Sequence, residues 1–176
     1  EHVATADALA EPHAHLAALR LETARVGHLA RTTDHGAPLP HLPGWTVGDA
    51  IAHLVGDYRW ATDIVTTRRM SGGFAGVDET GDALIDALDE ATDRMIAAVE
   101  LALGDLDAPC PNFAERDAGT LRFWPRRQSQ ETTMHRWDLE VPGGEHAPIG
   151  AALAADGIDE LLHIYTRRYG GQRLSR

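Results

Sequence analysis

Lysine is missing altogether: all 16 basic residues of the chain are arginine. That excludes Schiff-base chemistry and a P-loop lysine. The one cysteine, Cys110, sits between Pro109 and Pro111, so neither a disulfide framework nor a thiolate metal cage can form within one chain. Any metal must be held by imidazole and carboxylate groups. Basic charge is also scarce: 16 basic residues against 27 acidic ones give a formal net charge of -11. The phosphate neutralisation that drives nucleic-acid binding has no source here, and anionic membranes are equally poor partners. No apolar run approaches the roughly 20 residues needed to cross a bilayer, and no basic segment followed by an apolar one opens the chain. The sequence therefore reads as soluble and cytoplasmic, with no nucleic-acid or membrane partner. What is present is ordinary for one compact domain: 176 residues, 43% hydrophobic and 24% charged.

Apolar positions recur at helical spacing in five stretches. Leu16, Leu19, Val26 and Leu29 mark a first helix over Pro12 to Thr33, with Pro12 suited to its first turn. A proline-rich segment, Ala37 to Gly44, cannot hold a regular ladder. Thr46 then offers a cap, with Asp49 three residues on, for a second helix running to about Arg69. Its stripe is Val47, Ile51, Leu54, Val55, Tyr58 and Val65. The third helix carries Leu84, Leu88, Ala91, Met95 and Val99 and ends at Gly104, with Asp82, Asp86, Asp89 and Asp93 on a solvated flank. Asp105 to Gly119 reads as a long connection, followed by a short strand over Thr120 to Phe123. A fourth helix spans Trp124 to Leu139, and a last one Asp156 to Tyr169 turns Ile158, Leu161, Leu162 and Tyr165 inward before Gly170-Gly171. The pattern predicts an all-α fold, a four-helix bundle with an additional C-terminal helix. Bundles place metal and cofactor sites on facing helices, so the inward polar residues decide the function.

On the second helix Gly48, Asp49, Ala52, Gly56, Arg59 and Asp63 share the water side, whereas His53 falls with Ala50, Asp57, Trp60 and Ile64 beside the apolar stripe. A buried histidine held by one hydrogen bond is the commoner explanation unless partners exist. On the fourth helix Glu131 and His135 are four residues apart and stack on one face, a spacing that lets both reach one ion. Gln128 and Asp138 extend that stripe, Met134, Trp137 and Val141 form an adjacent apolar face, and Thr132, Thr133, Arg136 and Glu140 fit the water side. With 11 Glu and 10 His in the chain, chance alone supplies on the order of 0.6 such pairs, so the combination with His53 carries the weight. His53, Glu131 and His135 form a two-histidine, one-carboxylate set with a coordination position left open. Zn²⁺ is the default for these donors, and Fe²⁺, Ni²⁺ and Co²⁺ also suit them. His13, His15 and His28 are too poorly spaced for one metal face, His2, His35, His41 and His146 lie near termini or in loops, and His163 faces outward. Cys110 reads as a loop thiol with no cationic neighbour.

The two segments that carry these donors also resemble a known family. Leu42 to Ala61, with its Pro-Gly-Trp-Thr-Val-Gly-Asp run and His53-Leu54, resembles the opening motif of the mycothiol-dependent maleylpyruvate isomerase family, and Phe123 to Asp138 resembles its Arg-Arg-x-x-x-Glu-x-x-x-His-Arg-x-Asp helix. Relatives often carry Cys where Leu42 stands and His where Gln130 stands. The resemblance implies a DinB-like four-helix bundle whose His53, Glu131 and His135 bind a divalent metal, usually zinc. It further implies mycothiol as a low-molecular-weight thiol co-substrate and a small electrophile as substrate, attacked in an isomerase or S-transferase reaction. Asp57, one turn after His53, is the expected catalytic carboxylate, accepting the imidazole's other N–H; Arg59 and Arg136 point outward and stay out of the site. Isomerase-type relatives have a further C-terminal domain, so a single metal-binding domain over residues 1–176 is expected, that second domain absent or truncated. Two other readings stand beside this one: a hydrolase using metal-bound water, with Asp57 or Asp138 as base, and a non-enzymatic metal-binding helical interaction module, homodimerisation being left open.

Overall fold

A computed structural model describes residues 11–70, 72–73, 75–115, 119–144 and 146–169, with side chains described as far as Ile164. The elements are helices α1 (Pro12–Thr32), α2 (Val47–Thr67), α3 (Gly81–Leu103), α4 (Phe123–Glu140) and α5 (Ala151–Tyr169), with a single 3-10 turn at Val141–Gly143. Among the described residues there is no strand; two isolated bridges, Pro38 with Thr46 and Pro109 with Thr120, pin the long connections. No described helix is long and apolar enough to cross a membrane.

α1 lies beside α3 and α4, and α2 lies beside the same two, so the four helices form a ring in the order α1, α4, α2, α3. The sequence positions α2 firmly: the Thr46 hydroxyl accepts from Asp49 N–H while the Asp49 carboxylate accepts from Thr46 N–H, a reciprocal capping box. The apolar stripe of α2 is buried throughout, and as far as Tyr58 it makes the main core with Leu19, Val26, Leu84, Leu88, Met95 and Val99. Cys110, Leu121 and Trp124 join Ile64 and Val65 in a second cluster under the 105–122 connection.

α4 is different in kind. Seven of its ten buried residues are polar or charged, and α1 and α2 each meet it with hydrogen-bonding groups. Ser129 Oγ is 2.9 Å from His15 Nδ1 on α1, Thr132 Oγ1 is 2.8 Å from Tyr58 Oη on α2, and Arg136 Nε donates to Glu22 Oε2 on α1 at 2.7 Å. The expected water side of α4 is thereby corrected: Thr132, Thr133 and Arg136 are buried and Met134 is exposed. An amphipathicity wheel ranks Thr and Arg as outward because it cannot know that the facing helices offer acceptors. Arg59 does face outward and pairs with Glu79.

Three further expectations change. The stretch Thr120 to Phe123 is not a strand: Leu121 and Arg122 donate to the carbonyls of Ala108 and Leu106, and Phe123 already begins α4. α5 begins at Ala151 rather than Asp156, because the alanine-rich run before Asp156 is itself a good helix former. Ile158, Leu161 and Leu162 are more than half exposed, while Leu153, Glu160 and Ile164 face the bundle. α5 is fastened by polar contacts to α4: Gln130 Nε2 donates to Leu153 O at 3.1 Å and to Asp156 Oδ2 at 2.7 Å. Gly157 makes room for this amide, since a Cβ there would meet Gln130 Oε1 at 2.5 Å. The expected inward Tyr165 and the Gly170-Gly171 stop lie outside the described side chains and residues.

Replacing Thr46 by Ala removes the cap that starts α2. We expect a loss of about 1 kcal/mol in urea unfolding, with an unchanged dependence on denaturant; an unaffected midpoint would mean the box contributes nothing.

Candidate functional site

The capping box fixes where α2 begins, and His53 follows in its second turn; α4, keyed to α1 and α2 by its buried polar contacts, brings Glu131 and His135 opposite. His53 Nε2 donates to Glu131 Oε1 at 3.1 Å, and His135 Nε2 lies 3.2 Å from the same oxygen. The two imidazole centroids are 4.7 Å apart. One donor atom from each of the three residues lies within 4.8 Å of the others, the arrangement of a group able to hold a metal ion. The indole of Trp45, just before the α2 cap, packs against both rings, 5.4 Å from His53 and 6.5 Å from His135 between centroids. This gives the Pro-Gly-Trp segment a physical role as a wall of the site.

Around the three donors stands a set of fixed charges. Arg127 pairs with Glu131 Oε2 and, through its other nitrogen, with Glu160 of α5. Glu131 is thus held at one oxygen by arginine while its other oxygen faces the histidines. Burial opposes ionisation of Glu131, but hydrogen bonds from His135 and His53 and the charge of Arg127 overrule it and hold the carboxyl well below its usual range. Burial also disfavours charge on His135, yet Asp138 and Glu131 raise its pKa to about 9. Asp138 Oδ2 is 2.9 Å from His135 Nδ1, and Asp138 Oδ1 accepts from His41 Nε2 at 2.7 Å. Burial raises the Asp138 carboxyl, and the bonds from the two histidines bring it below the usual range.

Asp57 is buried, 4% exposed, one turn below His53 and within hydrogen-bonding reach of Gln128. Burial, reinforced by the Glu131 charge, lifts its pKa to about 7. Its Oδ2 is enclosed without a hydrogen-bond partner. Beside His53 a cavity of about 340 Å³ opens to solvent between Trp45, Ala52, Gly56 and Val77. Cys110 is buried and its thiol is pushed up by burial, although Arg68 and Trp124 both reach toward it; the expectation of no cationic neighbour is corrected by Arg68.

The donor set fits a divalent cation. Ligands on a tetrahedral ion with bonds of about 2.0–2.1 Å sit about 3.3 Å apart, and both imidazole nitrogens already stand 3.1 and 3.2 Å from the Glu131 oxygen. His135 also has the carboxylate support on its second nitrogen that ligating imidazoles usually have. Comparison with known families agrees with the motifs. The mycothiol maleylpyruvate isomerase N-terminal domain matches residues 16–140. The chain belongs to this family. The helical architecture of its described residues is the family's DinB-like fold. No curated protein and no solved structure matches this chain.

Two functional neighbours escaped the sequence reading. Arg127 had a usable signal, since it precedes Glu131 by one helical turn, where opposite charges meet. His41 had none beyond lying just before the Pro-Gly-Trp segment.

Asp57 yields a prediction with a definite sign. An unfolded aspartate titrates near about 3.9, so the folded state keeps its proton through a range in which the unfolded chain has lost it. Metal-free wild-type protein therefore loses stability from this group as pH rises from about 4 to about 7. In urea unfolding between pH 5 and pH 8, Asp57→Asn should gain on the wild type up to about pH 7 and hold a constant lead above it. A lead independent of pH would show that Asp57 is already ionised.

Proposed function

We propose that this family member is a divalent-metal-dependent enzyme that uses a low-molecular-weight thiol, mycothiol, in an isomerase or S-transferase reaction on a small electrophile. Residues His53, Glu131 and His135 would hold the metal, within a single domain over residues 1–176. The observation that carries this reading is the meeting of three donors from two helices at one point, with His53 bordering an open cavity. When bound, the cation supplies Lewis acidity that lowers the pKa of a coordinated thiol into the neutral range. Zn²⁺ suits the donors best.

The chain's own residues divide the remaining work. Arg127 orients Glu131 so that one carboxylate oxygen faces the two imidazoles. Asp138 fixes the His135 ring. Trp45 closes one side, and the cavity beside His53 receives the organic partner, its floor of Ala52 and Gly56 leaving room near the imidazole. Asp57, poised near neutrality beneath His53, is the buried carboxyl that sets the charge of the site. A hydrolytic reaction needs a free carboxylate base, and Asp138 is a poor one because both of its oxygens are engaged by histidines. A hydrolytic reading would therefore have to use Asp57 as its base.

Protein purified without chelator should contain stoichiometric metal, lost in His53→Ala and in His135→Ala, while far-UV circular dichroism stays helical. Folded wild-type protein that takes up none of Zn²⁺, Fe²⁺ or Ni²⁺ would defeat the proposal. Thiol consumption with a panel of electrophiles, with and without mycothiol, tests the reaction class.

Metal binding should also be proton-linked. With the His135 pKa raised to about 9, the metal must displace a proton from this imidazole throughout the neutral range. Calorimetry at pH 7 in buffers of different ionisation enthalpy should show about one proton released per ion, and affinity should climb about tenfold per pH unit until about pH 9. Binding independent of pH between 7 and 9 would show that the His135 imidazole carries no proton for the metal to displace.

A further inference from the structure

His41 lies outside the proposed ligand set and meets a group that supports a ligand. We infer that His41 is a positioning residue for the metal centre, acting through Asp138 on His135; this rests on the reading of His53, Glu131 and His135 as metal ligands. The path is short: His41 Nε2 donates to Asp138 Oδ1 at 2.7 Å, and Asp138 Oδ2 stands 2.9 Å from His135 Nδ1, an ion-pair contact rather than an aligned hydrogen bond. Asp138 is 6% exposed, so water has little access to replace a lost donor. Because both oxygens of the carboxylate are engaged, rotation about its side-chain bonds would break one contact or the other. His41 therefore holds the plane of the carboxylate, and the carboxylate holds the plane of the ligand ring.

His41 is itself held. Its ring stands edge-on to Trp137 with centroids 5.3 Å apart, and Trp137 stacks on His146 at 4.5 Å. The loop that carries His41 is closed by backbone bonds on both sides: Leu42 N–H donates to Leu39 O, and Trp45 N–H to Leu42 O. Leu39, 1% exposed, anchors the same loop in the core. One short loop thus delivers both Trp45, the wall across the two imidazoles, and His41, the brace behind one of them. In this way the α1–α2 connection sets the geometry of a ligand on α4.

The test compares Co²⁺ uptake, followed by visible absorption, and Zn²⁺ affinity, by chelator competition, in the wild type, three single variants and one double variant. His41→Phe keeps a ring against Trp137 but removes the donor; His41→Gln keeps an N–H donor at similar reach; Asp138→Asn removes the carboxylate charge. His41→Phe should weaken both metals by roughly tenfold, the low end for groups one step behind a ligand, and alter the Co²⁺ spectrum. His41→Gln should return to within about threefold of the wild type. Combined with Asp138→Asn, His41→Phe should add nothing, because the path is already cut. Wild-type affinity and spectrum in His41→Phe, failure of His41→Gln to recover affinity, or an additive double variant would each overturn the inference. A wild type that binds no metal would overturn the ligand reading itself, which separates the two failures.

Discussion

Everything about the site follows from one carboxylate. Glu131 is mostly withdrawn from water, where an unpaired charge is costly, and the structure answers with three donors: His53 and His135 at one oxygen and Arg127 at the other. Those partners come from α2 and α4, and Arg127 carries the link on to Glu160 of α5. The same charge explains its neighbour. A second carboxylate a short distance below cannot ionise as freely, and Asp57 is accordingly lifted toward neutrality by burial and by Glu131 together. Two acids in one pocket are thereby driven apart in behaviour, one held ionised and the other poised to take up a proton.

The placement of Glu131 depends in turn on how α4 is held. An apolar seam tolerates small slides of one helix along another, whereas directed bonds specify register. α4 meets α1 through Ser129 with His15 and Arg136 with Glu22, and meets α2 through Thr132 with Tyr58. These contacts lie on both sides of Glu131 in the chain. Most of the apolar core comes from α1, α2 and α3, with Trp124 and Leu139 added by α4, and α4 contributes the chemistry and the polar keys that aim it.

The helices were legible because α1, α2 and α3 follow the simple rule that an apolar stripe faces the core. The start of α2 could be read from Thr46 and Asp49, and the meeting of His53, Glu131 and His135 from spacing and motif together. Reading failed where burial rests on pairing rather than hydrophobicity. Arg136 and Thr132 look like surface residues until Glu22 and Tyr58 are placed opposite them, and Thr133 turns its hydroxyl back onto the Ser129 carbonyl of its own helix. α5 misled for the opposite reason: Ile158, Leu161 and Leu162 look like a core stripe, but the helix attaches through Gln130, Arg126 and Arg127 instead. His41 was invisible because its partner lies 97 residues away, and no local pattern encodes that distance.

The choice of arginine for every cation has an acid–base consequence. Guanidinium groups keep their charge across the whole accessible pH range, so the struts formed by Arg126 and Arg127 are permanent fixtures. A lysine-built frame would begin to discharge at its alkaline end. Here the framework stays electrically constant while imidazoles and a few enclosed carboxyls exchange protons within it, like a rigid electrode around a small responsive cell.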